Sequence, residues 1–203
     1  MKIAIIGATG RVGTRLIDEA LSRGHTVTAI ARQADKLAAR PGLATANVDA
    51  ADTKALAAAL AGHDVAISTV RFLQTSAAQI VGAVKAAAVP RLLVVGGAGS
   101  LFVAPGAQLV DTPQFPEAYK AEALAGRDFL NALRNETAID WNFLSPAALF
   151  EPGTRTGKFR VGEETLLSDA SGKSWISMED YAIAMIDEVE KPAHSRQRYT
   201  VAY

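Results

Sequence analysis

The chain contains no cysteine. That excludes a disulfide framework, a zinc–thiolate site, an iron–sulfur cluster and a cysteine nucleophile. It has no excess of charge: Lys+Arg and Asp+Glu are 21 each, for a formal net charge of zero. A general nucleic-acid binder carries a basic surface, so no nucleic-acid partner is expected. Long apolar runs are missing as well, the longest falling well short of the ~20 residues that span a bilayer. The apolar stretch at Lys2–Gly7 is too short for a signal peptide. No membrane partner is expected, and the expected compartment is the cytoplasm. The three histidines, His25, His63 and His194, lack metal-like spacing, so no metal site is expected. A G-x-S-x-G elbow is absent, which argues against a hydrolase. There is no internal repeat, charge run or low-complexity linker.

What is present is apolar and rich in small residues. Hydrophobic residues make up 49%, and 40 of the 203 residues are alanine. This length predicts one domain over residues 1–203, burying roughly 70% of its unfolded surface. Lys2–Gly7, His25–Ala31, Leu43–Val48, Asp64–Val70, Arg91–Val95, Trp141–Leu144 and Arg198–Val201 read as strands. Arg11–Arg23, Thr53–Ala61, Thr75–Ala88, Glu117–Arg134 and Met178–Val189 read as helices. Asp52 reads as an N-cap, and Gly24 and Gly62 as helix stops. Such alternation predicts an α/β fold: a Rossmann-like, doubly wound parallel sheet flanked by helices, in one domain with a small C-terminal substrate lobe. Gly96–Pro116 and Phe150–Ser174 lack periodicity. Both leave the carboxyl edge of the sheet, where open α/β folds bind ligands. The substrate-side loops are therefore placed at about 98–116 and 148–175.

The strongest local signal is Gly7-Ala8-Thr9-Gly10-Arg11-Val12-Gly13, between a strand and a helix. That is the context of a dinucleotide loop, here spaced GxxGxxG. Its glycines allow a tight turn and close backbone approach to a pyrophosphate, whose charge then sits on the helix N-terminus. Gly13 lets the helix pack closely on the strand. An acid at the end of the second strand would hold the ribose hydroxyl of NAD, whereas an arginine there suits the phosphate of NADP. The sequence reads Ala29-Ile30-Ala31-Arg32-Gln33. NADP(H) is therefore expected over NAD(H), with Arg11 as a second positive charge. Asp35 is read as the cap of a short following helix.

With these residues in view, the chain resembles the atypical short-chain dehydrogenase/reductase superfamily. More narrowly, it resembles the NmrA-like NAD(P)H-binding family, with its NADH-flavin reductases and biliverdin reductase B-like members. The resemblance is carried by the sequence KIAIIGATGRVG at 2–13, Ala31-Arg32 and Val48-Asp49. It continues through Ile67–Val70, Val94–Gly99, Asp140–Ala147 and Ile176–Ala182. It implies that Asp49 meets the adenine amino group. Ser68, Thr69, Val70 and Arg71 would line the adenosine and pyrophosphate edge. Gly96 and Gly97 would lie under the nicotinamide side, Lys120 would reach the nicotinamide ribose, and Ser145, Pro146 and Ala147 would flank the nicotinamide ring.

One departure bears on mechanism. Typical members use Ser, Tyr and Lys, with Tyr four residues before Lys. With Lys120 as the lysine, the tyrosine position holds Pro116 and the serine position falls at about Gly97. Tyr119 cannot substitute, because adjacent helical residues point ~100° apart. Lys120 and Ser100 remain the catalytic candidates. Reducing a ketone needs a proton donor at the developing alkoxide, whereas a reduced flavin or quinone delocalises its charge and takes its proton from water. The reading is thus an NADPH-preferring reductase of a planar small-molecule acceptor, FMN or another flavin, or a quinone. Catalysis would rest on proximity. Phe102, Phe115, Tyr119 and Phe150 are candidates for the acceptor wall. A regulatory NADP-sensing protein is the alternative. A sugar-nucleotide epimerase or dehydratase is disfavoured by the missing Tyr-x-x-x-Lys pair and the lack of a larger substrate domain. A monomer or a homodimer is expected.

Overall fold

The computed structural model describes residues 1–203. Its strands are β1 (Lys2–Ile6), β2 (Thr26–Ala31), β3 (Leu43–Asn47), β4 (Val65–Ser68), β5 (Arg91–Val95), β6 (Phe102–Ala104), β7 (Ala107–Gln108), β8 (Asp140–Ser145), β9 (Leu149–Glu151), β10 (Arg160–Gly162), β11 (Trp175–Ser177) and β12 (Gln197–Ala202). Its helices are α1 (Arg11–Ser22), α2 (Thr53–Leu60), α3 (Ala77–Ala86), α4 (Glu117–Arg134) and α5 (Met178–Glu190).

The central sheet runs β10-β12-β8-β5-β4-β1-β2-β3. All pairs are parallel except the antiparallel edge strand β10. Consecutive residues of β1 serve opposite faces, as the pleat requires. Ile3 and Ile5 join the core beneath α1 and α5, with Leu16, Ile17, Tyr181 and Ile186. Ala4 and Ile6 join the core beneath α2, α3 and α4, with Leu56, Ile80, Phe129 and Leu133. Burial on both faces explains the continuous apolar runs of the central strands.

Local signals account for the helix ends. Asp52 accepts from the Ala55 amide at 3.0 Å, capping α2. Gly24 and Gly62 take positive φ after α1 and α2. Two readings are corrected. The helix expected at Thr75–Ala88 begins later, at Ala77, because Ser76 and Gln79 form a reciprocal capping box. Asp35 caps nothing: it lies inside a single 3₁₀ turn, Ala34–Lys36, and its amide donates to Asn47 Oδ1 at 3.0 Å.

The aperiodic stretches hold short strands. β6 and β7 form a hairpin over one end of the sheet. β9 and β11 pair in parallel, and β10 closes the edge of the main sheet on β12. No helix is long and apolar enough to cross a membrane.

Candidate functional site

The sheet order reverses between β1 and β4, and the carboxyl ends of those two strands part there. A crevice at such a switch point is the usual ligand site of an open α/β sheet. Gly7 follows β1 with φ +80°. A Cβ at Gly7 would fall 2.5 Å from Thr69 Oγ1. Gly13 packs α1 on the loop so closely that a Cβ would lie 2.7 Å from the Ala8 carbonyl oxygen. Thr69 locks the two strand ends together. Its hydroxyl lies 2.9 Å from the carbonyl oxygens of both Ile6 and Gly7, and its amide donates to Ile6 at 2.9 Å.

The α1 N-terminus is open. Gly10 is its N-cap and offers no side chain, and the amides of Arg11 and Val12 donate to no group in the chain. Unpaired N–H groups at the positive end of a helix dipole form an anion site. The glycines that a Cβ would fill and these free donors together fit a dinucleotide pyrophosphate.

A groove of about 830 Å³ spreads from this point. Gly7, Thr9 and Gly10 form one bank, Arg32 and Asp49 another, and Thr69, Val70 and Arg71 the far end. The Arg32 side chain makes no ion pair or hydrogen bond within the chain, and Arg11 is likewise exposed and unpaired. Asp49 spends one oxygen on the Ala51 amide at 3.0 Å, leaving its other oxygen free. Ser68 does not reach the groove; it is the buried last residue of β4. Arg11, Val12 and Gly13 border the groove as the first turn of α1 rather than lining it.

Thr69, Val70 and Arg71 also line a second cavity of about 540 Å³, so the two spaces adjoin at these residues. Gly96, Gly97 and Ser100 line this cavity. One face of α4 joins them through Tyr119, Glu122, Ala123 and Gly126, which follow i, i+3, i+4, i+7 spacing. Phe115 completes the wall as expected. The other two aromatic candidates do not line it. Phe150 packs against the Tyr181 ring at 4.6 Å, on the α5 side of the sheet. Phe102 is taken up by the β6–β7 hairpin, its amide donating to the Glu164 carbonyl at 2.9 Å.

Lys120 is not brought to either cavity. It shares the α4 row of Pro116, Ala123 and Arg127, and its Nζ lies 3.6 Å from Glu117 Oε2. Its ammonium group thus lies with Glu117 rather than against either cavity. Ser145, Pro146 and Ala147 also stand behind the cavity, whose lining resumes at Ala148 and Leu149. The Ser145 hydroxyl is fully buried and without a hydrogen-bond partner. Ser100 is buried at the cavity wall and accepts from Arg198 Nη1 at 3.2 Å.

Three contributors escaped sequence reading. Phe72 floors the cavity, stacked on Phe143 with centroids 5.9 Å apart. Glu122 accepts from the Phe72 and Leu73 amides at 2.8 and 3.3 Å, fixing the loop after β4 to α4. Tyr181 donates to the Leu144 carbonyl at 2.6 Å, the same oxygen that receives the Gly96 amide at 2.8 Å. Burial pushes the Tyr181 hydroxyl far above its ordinary pKa, so it stays a neutral donor beneath Gly96. Glu122 alone had a readable signal, its place on the helix face shared with Tyr119. No group of three or more His, Asp or Glu side chains is arranged to hold a metal ion.

Replacing Gly7 by alanine tests the loop. The substitution forces a side chain into left-handed backbone, costing about 1–2 kcal/mol, and drives its Cβ into Thr69. Chemical denaturation should show a stability loss of about 2 kcal/mol, with nicotinamide-nucleotide affinity falling about tenfold as the turn reshapes.

A parallel sheet with this strand order, a glycine turn feeding an uncapped helix and a groove across the switch point define a dinucleotide-binding protein of Rossmann type. Residues 7–192 match the NAD(P)H-binding family, and the chain belongs to it. The protein YwnB of Bacillus subtilis (strain 168) is 42% identical over 209 residues, covering 99% of this chain and 98% of that one. Among solved structures, a Bacteroides thetaiotaomicron protein provisionally described as an epimerase is 42% identical. It covers 100% of this chain and 96% of its own, with a TM-score of 0.95. A Streptococcus pneumoniae TIGR4 protein provisionally described as an NADH-flavin reductase is 34% identical. It covers 100% of this chain and 99% of its own, with a TM-score of 0.87. The chain is thus an NAD(P)H-binding protein of an oxidoreductase family with flavin-reductase relatives.

Proposed function

We propose that the protein is an NAD(P)H-dependent reductase, preferring NADPH, that acts on a planar acceptor such as a free flavin or a quinone. The observation that carries this reading is the meeting of two unlike spaces at Thr69, Val70 and Arg71. One has free main-chain donors and unpaired arginines; the other is walled by Phe72, Phe115 and Tyr119. In this reading Gly7, Thr9, Gly10 and the first turn of α1 hold the pyrophosphate. Arg32 and Arg11 meet the ribose phosphate, and Asp49 offers its free oxygen to the adenine amino group. When bound, the reduced nicotinamide supplies hydride at the junction of the two spaces. The chain contributes placement and exclusion of water.

The side-chain set favours an acceptor that needs little acid catalysis. Pro116 stands where a Tyr-x-x-x-Lys pair would need tyrosine, and the Lys120 ammonium lies by Glu117. A sugar-nucleotide epimerase would depend on that pair. The same lack supports a second reading, an NADP-sensing regulatory protein.

Absorbance of the reduced nicotinamide, followed with FMN, riboflavin and menadione as acceptors, separates these readings. Turnover with at least one acceptor is expected, faster with NADPH than with NADH. Measurable NADPH binding with no turnover above buffer would sink the reductase reading and leave the sensor.

A further inference from the structure

The charges around the acceptor cavity are already paired. Arg127 lies 3.2 Å from the Asp111 carboxylate and 3.3 Å from Gln108 Oε1. Arg71 stands at the junction, 3.6 Å from Glu122. Lys120 faces Glu117 outside the cavity. Each lining cation has a carboxylate neighbour, so the phosphate of an acceptor such as FMN would compete with Glu122 or Asp111 for it.

The polar groups of the cavity are mostly committed too. Thr112 donates to the Leu109 carbonyl at 2.8 Å, and Glu122 is occupied by two main-chain amides. Ser100 differs. Its oxygen accepts from the buried guanidinium of Arg198, while its proton is donated to no group in the chain. A neighbouring cation withdraws charge from the hydroxyl oxygen and makes its proton a better donor. Beside the exposed Gln114 amide and Tyr119 hydroxyl, Ser100 is thus the one buried, cation-polarised neutral donor of the cavity, which suits a carbonyl oxygen.

The mouth is apolar as well. Of the seven large hydrophobic residues exposed on the whole chain, Leu73, Tyr119 and Leu149 fall here, 60%, 68% and 51% exposed. Tyr119 and Leu149 line the cavity, and Leu73 follows the Phe72 that floors it. Clustered exposed apolar side chains at the rim of a pocket mark a surface that is covered when ligand binds.

We propose that the acceptor is an uncharged quinone carrying an aliphatic tail, its ring in the cavity with a carbonyl on Ser100 and its tail across Leu73, Tyr119 and Leu149. This rests on the reductase reading and narrows it. The quinone takes up one hydride from the reduced nicotinamide and one proton from solvent, giving hydroquinone and oxidised nicotinamide.

The test compares menadione with its prenylated homologue, and riboflavin with FMN. KM for NADPH-dependent reduction is measured for all four. Dissociation constants in the presence of NADP⁺ are measured by calorimetry, which needs no turnover. The prenylated quinone should bind about tenfold more tightly than menadione, as expected for covering a few tail carbons. Riboflavin should be used at least as well as FMN. In the double variant Leu73→Asn, Leu149→Asn the ratio of the two quinone dissociation constants should fall towards one. Both residues are exposed, so the fold should survive, and circular dichroism checks that it does. Equal binding of the two quinones, or a tenfold preference for FMN over riboflavin, would overturn the proposal while leaving the reductase reading standing. Absence of turnover with every acceptor overturns the reductase reading, and this proposal with it.

Discussion

Replacing Asp180 by alanine should cost about 2–3 kcal/mol of stability, from the charge-assisted hydrogen bonds it would remove. Asp180 is fully buried in the first turn of α5. Its carboxylate accepts from the amides of Thr156 and Gly157 at 2.7 and 2.9 Å, from the Tyr203 hydroxyl at 2.7 Å and from the Thr156 hydroxyl. It thereby ties the segment after β9 and the last residue of the chain to one helix. Burial pushes its pKa up, but the hydrogen bonds from Thr156, Gly157 and Tyr203 outweigh this and hold it below the ordinary aspartate value. A carboxyl whose pKa is depressed in the folded state adds stability above its unfolded pKa of about 3.9, and that stability fades as pH falls through the folded value. Urea denaturation at neutral pH should show the full loss. The gap between wild type and Asp180→Ala should then narrow below about pH 4 as the wild type loses the same carboxylate by protonation. A neutral-pH loss under about 1 kcal/mol, or a gap that does not change with pH, would show that the donors find other partners.

Glu19 acts in the same direction. Arg155 and Arg23 hold its carboxyl below its ordinary pKa against the effect of burial. Neither acid was legible in the sequence as more than a helix residue. Their partners come from distant positions, such as Arg155 against Glu19 and Thr156 against Asp180, and no local pattern encodes such pairings.

The central sheet was legible because its signals are local. The inner parallel strands are buried on both faces and show as apolar runs, whereas the edge strand β3 is largely exposed and reads weakly. Arg91–Val95 and Glu117–Arg134 match the expected spans residue for residue. The short strands β6, β7, β9, β10 and β11 were not legible. Two or three residues carry no periodicity, and these strands exist through pairing alone, as where Trp175–Ser177 meets Leu149–Glu151.

The candidate site divides the same way. The Gly7–Gly13 loop and the arginine after β2 are contiguous with their elements, and the groove places them together. The acceptor cavity draws on a helix face and two loops, so its membership turns on phase. Tyr119 lines the cavity, whereas the adjacent Lys120 lies by Glu117. Phe115 and Tyr119 line it, whereas Phe102 and Phe150 serve other packing.

Replacing Arg32 by glutamate should raise the dissociation constant for NADPH by about 100-fold or more and leave that for NADH within a few-fold. Arg32 follows β2 directly and lines the groove on the same bank as Asp49, opposite Gly7. Its guanidinium has no partner in the chain, so nothing within the fold must be broken before it meets a ligand. A hydrogen bond to a charged group contributes about 1.5–3 kcal/mol, and each 1.4 kcal/mol is a factor of ten in affinity. Loss of the contact alone, as in Arg32→Ala, should therefore cost about 10- to 100-fold for the phosphorylated cofactor. Glutamate adds repulsion of the phosphate, while its carboxylate can accept from the unphosphorylated ribose, the role an acid plays at this position in NAD-selective sheets. Arg11 is the second unpaired cation nearby and should retain part of the NADPH affinity, so Arg11→Ala in the Arg32→Ala background should deepen the loss. Because the residue is exposed, the NADPH advantage of the wild type should shrink as ionic strength rises. Titrations of both cofactors against wild type, Arg32→Ala and Arg32→Glu provide the measurement. Equal weakening of NADPH and NADH would place Arg32 outside phosphate recognition and remove the basis for NADPH preference.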